Sequence, residues 1–71
     1  MYQILRNFKD GTIACDGFTD DECHTAEDCF NAVIECAEAR IEERGSTPLL
    51  SVYLIECEWS GWMRIVRGRI F

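Results

Sequence analysis

The chain is short of the features that most directly declare a function. It has no Gly-rich phosphate loop, no nucleophile elbow and no paired metal-ligand motif. One proline and five glycines in 71 residues leave no low-complexity segment. No apolar run approaches the ~18 residues that a membrane span needs. The opening residues Met1-Tyr2-Gln3-Ile4-Leu5-Arg6 lack a basic region followed by a hydrophobic one. The expectation is therefore a soluble, unexported protein of the cytoplasm, with no membrane contact.

Cysteine is present but lacks a useful arrangement. Cys15, Cys23, Cys29, Cys36 and Cys57 are odd in number and irregular in spacing, and none forms a Cys-x-x-Cys pair. Reduced thiols packed in the core are expected, with no metal and no cofactor. His24 is the sole histidine. It follows Cys23 directly, and adjacent side chains seldom converge into a thiol–imidazole pair. So small a domain also has little room for a pocket that could separate the pKa values of paired carboxylates, so no enzymatic activity is expected.

What is present is one long helical pattern. Thr25, with Asp28 three residues on, reads as a helix start, and Gly45 followed by Pro48 as its end. Ala26, Phe30, Val33, Ile34, Ala37 and Ile41 recur at spacings of three and four, with Cys29 and Cys36 widening the stripe, as on a buried helix face. Opposite them Asp28, Asn31, Glu35, Glu38 and Glu42 share a narrow wedge without a lysine. Glu38 and Glu42 repel across one turn by about 0.2–0.5 kcal/mol, with no cation beside them in sequence. Choices that cost stability without local gain point to a surface kept for another purpose.

The flanking segments read as two β-hairpins. Tyr2 to Phe8 and Thr12 to Phe18 surround Asp10-Gly11, which as a two-residue loop sets Phe8 opposite Ile13, Arg6 opposite Cys15 and Ile4 opposite Gly17. Tyr2, Ile4, Phe8, Ile13 and Cys15 then face the helix, with Arg6 reaching past the edge. Leu49 to Trp59 and Trp62 to Phe71 surround Ser60-Gly61. That register pairs Trp59 with Trp62, Cys57 with Arg64, Ile55 with Val66, Tyr53 with Gly68 and Ser51 with Ile70, the face expected against the helix. The other face carries Leu50, Val52, Leu54, Ile65 and Phe71. The whole is a ββαββ chain of the α+β class: one small domain over residues 1–71, a four-stranded antiparallel sheet with one helix on a face.

Charge is distributed unevenly. The net is −6, yet Asp16 to Glu43 alone holds ten acids against Arg40, a local −9, while Arg64, Arg67 and Arg69 lie in a C-terminal stretch free of acids. Asp20, Asp21 and Glu22 add to the helix carboxylates from the loop before it. Such a surface disfavours direct contact with nucleic acid or anionic lipid, which reward cations, and suits a basic protein. The arginines read as internal counter-charges.

In organisation over its whole length, with its acidic helix and loop, free cysteines and no catalytic motif, the chain resembles the small anti-CRISPR proteins encoded by phages and other mobile elements. That resemblance implies a non-enzymatic inhibitor of a basic nucleic-acid-binding protein or ribonucleoprotein effector complex, with carboxylates in the groove that holds DNA or guide-paired target. The residues placed in that role are Glu35, Glu38 and Glu42, supported by Asp20, Asp21, Glu22 and Asp28. The alternative reading is a small self-associating structural or regulatory module, an antitoxin-like homodimer joined through Leu50, Val52, Leu54 and Phe71.

Overall fold

The computed structural model describes residues 1–40, 48–58 and 60–71, and Arg40 through its backbone alone. Ile41, Glu42, Glu43, Gly45 and Trp59 lie outside the described residues, and with them the expected helix end and the expected Trp59–Trp62 pair. The chain runs β1 (Tyr2–Phe8), β2 (Ile13–Phe18), a 3-10 turn (Asp20–Glu22), α1 (Cys23–Arg40), β3 (Leu49–Cys57) and β4 (Met63–Ile70). The strands form one antiparallel sheet in the order β2-β1-β3-β4, with α1 across one face. This is the α+β, ββαββ architecture that the pattern of periodicities predicts.

The helix starts earlier than expected. Thr25 lies inside α1, and Thr19 caps the 3-10 turn that leads directly into it. Its backbone N–H and its hydroxyl both donate to Glu22 Oε1, at 3.0 and 2.9 Å, and the Glu22 N–H returns a 3.0 Å bond to the Thr19 carbonyl. The segment Thr19-Asp20-Asp21-Glu22 is a capping box, and its carboxylates favour the positive end of the helix dipole. The stretch Thr19–His24, expected as a polar connection, is thus largely the entry to the helix.

The first hairpin departs from its expected register by one residue. The Phe8 N–H bonds to the Thr12 carbonyl at 2.9 Å, and the Gly11 N–H to the Phe8 carbonyl at 3.0 Å. Gly11 has φ +90°, while no described non-glycine residue has a positive φ. Asp10 therefore cannot take its place in a type I′ turn, and Lys9-Asp10-Gly11 forms a three-residue loop with glycine at its left-handed position. Asp10 Oδ1 accepts from the Thr12 N–H at 2.9 Å and hydroxyl at 2.6 Å, which holds the loop. Asn7 consequently faces Ile13 and Leu5 faces Cys15. Because strand side chains alternate, Ile13 and Cys15 turn away from the helix, and Phe18 joins Tyr2 and Ile4 on the helix side.

The second hairpin keeps the expected pairs Ser51–Ile70 and Tyr53–Gly68. Between Leu54 and Ile55 the register shifts, and Val66 is left as the extra residue of a bulge. Ile55 then faces Ile65, and Cys57 faces Met63, in place of Val66 and Arg64. The helix, moreover, covers the opposite face from the one expected. Ile4, Ala26, Phe30, Val52 and Leu54 form the buried cluster, with Tyr2, Phe18, Cys29, Val33, Ile34, Leu49 and Phe71 packed around it. Val52, Leu54 and Phe71 are therefore core and rim, not a free face. A central strand is apolar on both sides, so alternation along Leu49–Ile55 cannot tell one from the other.

Candidate interaction surface

The helix layer presents most of the acidic residues singled out above. Asp28 and Glu35 are exposed on α1, seven residues apart, or about 10.5 Å along the axis. Asp21 is exposed seven residues before Asp28, in the 3-10 turn. None of the three makes an ion pair among the described residues, so they form an uncompensated acidic line along the outer surface.

The other predicted carboxylates are committed elsewhere. Glu38 pairs with Arg69 Nη2 at 3.2 Å across the helix–sheet boundary, a tertiary counter-charge absent from its own helix neighbours in sequence. Arg69 also lies over the Phe71 ring, 5.4 Å from its centroid. Asp20 accepts from the N-terminal amine. Glu22 is occupied with the cap, and the Thr19 N–H and then its hydroxyl hold its carboxyl below its ordinary value. Glu42 lies outside the described residues. The arginines do act in part as counter-charges: Arg64 Nε sits 3.0 Å from Glu56, as Arg69 sits by Glu38.

A second group of polar side chains clusters at the Met1 end of the sheet. The Tyr2 hydroxyl is held well above its ordinary value by hydrogen bonding to Cys23 and then to Glu56. Glu56 is in turn held below its ordinary value by Tyr2 and then Arg64. An open depression nearby is lined by Met1, Phe18, Asp20, Cys57 and Glu58. Its carboxylates are engaged, Asp20 by the terminal amine and Glu58 by the Trp62 indole N–H at 3.1 Å.

The cysteines do not all behave as core residues. Cys29 packs beside the buried cluster, but Cys15 and Cys36 are exposed, and Cys23 and Cys57 are partly covered. Cys36 lies outside the buried stripe of α1, and the register slip exposes Cys15. All five are free thiols, and no three metal-ligating side chains converge among the described residues. Among those residues, no helix is long and apolar enough to cross a membrane.

The surface that sequence reasoning missed is the sheet face opposite the helix. It carries Ile13, Met63, Ile65 and Ile70, between 62% and 72% exposed. Every charged strand residue lies on the other side: Arg6 and Asp16 hydrogen bond there at 2.9 Å, and Glu56, Arg64, Arg67 and Arg69 follow by register. Among the described residues, the Arg6 Nε alone is left buried without a partner.

Compared with known proteins, the chain matches no family, no curated protein and no solved structure. The functional reading therefore rests on its own residues.

Proposed function

We propose that the chain is a non-enzymatic binding protein whose acidic helix surface engages a lysine- and arginine-rich, nucleic-acid-binding surface of a host effector complex. In this reading it is an inhibitor of the anti-CRISPR type. The observation that carries the reading is the exposed line of Asp21, Asp28 and Glu35, free of ion pairs among the described residues. Nucleic-acid channels draw much of their affinity from phosphate neutralisation by clustered cations. Carboxylates held on a preorganised helix compete for those cations without the ordering cost of a flexible acidic tail. Glu38 contributes less than its position suggests, since Arg69 already shares its charge.

The test is capture from a bacterial lysate with the immobilised chain, followed by mass spectrometry, in parallel with the Asp28→Lys/Glu35→Lys variant. Both substitutions are at exposed helix positions, so the fold is retained. Capture of a basic nucleic-acid-binding protein at low salt, lost at about 0.5 M salt and lost in the variant, is the expected result. Capture of the same proteins by both forms would show the acidic line to be solvated surface only.

A further inference from the structure

We infer that the open face of the sheet is an interface with a second copy of this chain, packed face to face about a two-fold axis. The inference concerns a different surface from the acidic helix and stands independently of the function proposed above.

The face is unusual in what it exposes and in what it excludes. Ile13 is 65% exposed, Met63 68%, Ile65 62% and Ile70 72%, and they belong to the two outer strands. On the central strands Ile55 is 9% exposed and Leu5 and Tyr53 are partly covered, so the four outer side chains rim an uncharged floor that also holds Gln3, Asn7 and Ser51. No charged residue of any strand points to this side. In a chain with 28% charged residues and a net charge of −6, the described strands thus present one side without a charge. Gln3, Asn7 and Ser51 share this side, with Asn7 bonded to Ser51 at 3.1 Å, so the face is uncharged throughout its strands and apolar chiefly along β4 and at Ile13.

Gly68 shapes the middle of this face. Tyr53 lies across Gly68, where an added Cβ would come within 2.7 Å of the ring. Glycine at that position lets the ring lie flat and fills the gap that the missing side chain leaves. Flat apolar faces pack on one another at about 10 Å with interdigitated side chains.

The area is of the right order. Four strands about 4.8 Å apart and about seven residues long at ~3.3 Å each project to roughly 440 Å², before the relief of the side chains is added. Specific interfaces bury about 600–1,000 Å² per partner, so the projected floor alone falls short and the contact also draws on the relief of the outer side chains; monomers seldom expose contiguous apolar patches beyond a few hundred. A second copy fits better than an unlike partner because an isologous contact meets this face with its own uncharged surface. No charge is then desolvated, and the two acidic helix layers are carried to opposite outer surfaces, where they do not repel at close range. The product is a four-layer sandwich with helices outside and sheets inside.

The test is light scattering with size exclusion on the full chain from about 1 to about 200 µM, at low salt and at ~0.5 M salt. The expected mass is twice the 8.2 kDa of the chain, unchanged by salt. Ile65→Glu and Ile70→Lys, each at a position more than 60% exposed, should keep the circular dichroism of the fold and raise the dissociation constant at least ~10-fold. Glu35→Lys should leave the mass unchanged, which separates this surface from the acidic one. A monomer throughout the concentration range would overturn the inference, and so would an assembly of any size that survives both folded variants.

Discussion

Thr19 and Glu22 show how two side chains can set where the helix begins. The hydroxyl, the backbone N–H and the carboxylate close a small ring, and α1 then starts at Cys23, two residues before the threonine that its apolar stripe suggests. Thr19→Ala should cost about 1 kcal/mol, read as a lower Tm, because it removes a capping side chain at the surface. The same contacts give a signed pH dependence. Glu22 is held below its ordinary 4.5 when folded, so its contribution is present above that value and is lost as pH falls through the folded one. Glu22→Gln should flatten the acid limb of a plot of Tm against pH below about 4.5 and leave neutral pH less affected. In the core, Ile4 is fully buried beneath α1, and Ile4→Ala should cost about 2–5 kcal/mol in denaturant unfolding. That is a large share of the ~3–10 kcal/mol available to a chain of this length.

At the scale of the elements, the kinds and order of the strands and helix could be read from periodicity, because each spans enough residues to repeat its pattern. What could not be read was which way the strands faced. Asp10-Gly11 is compatible with both a two-residue and a three-residue loop, and the choice turns on the sign of φ at Asp10. One residue of slip sent Ile13 and Cys15 from the expected core to solvent. In β3 both faces are apolar, so the position of the helix had no signature within the strand. The Val66 bulge left no sign in the sequence either. The acidic helix residues were legible as exposed, but the Arg69–Glu38 pair depends on β4 lying near α1 and was not. Gly11 gives the loop its test. At φ +90° any other residue is strained, so Gly11→Ala should destabilise by about 1–2 kcal/mol in thermal unfolding, although there is open space for its Cβ.

For the whole molecule, the two sides divide the labour. The helix side holds the charges and the core, and the sheet side holds uncharged, largely apolar surface. A chain of 71 residues buries only about 60% of the surface that it exposes when unfolded, so its own core is thin. If the sheet face is covered by a second copy, stability depends on concentration. The Tm should rise with protein concentration for the wild-type chain and not for Ile65→Glu, which scanning calorimetry over a ~100-fold range would show. The acidic line is then presented twice, on opposite surfaces, and each copy can engage a basic partner.

In the function proposed above, Asp21, Asp28 and Glu35 compete with nucleic acid for a basic surface. The direct measurement is the affinity of the captured effector for its labelled nucleic acid as the chain is added, with Asp28→Lys/Glu35→Lys alongside. The account predicts that the wild-type chain displaces the nucleic acid, that displacement weakens steeply as salt rises, and that the variant is at least ~10-fold poorer. Undisturbed nucleic-acid binding at saturating wild-type chain, or equal displacement by the variant, would contradict it.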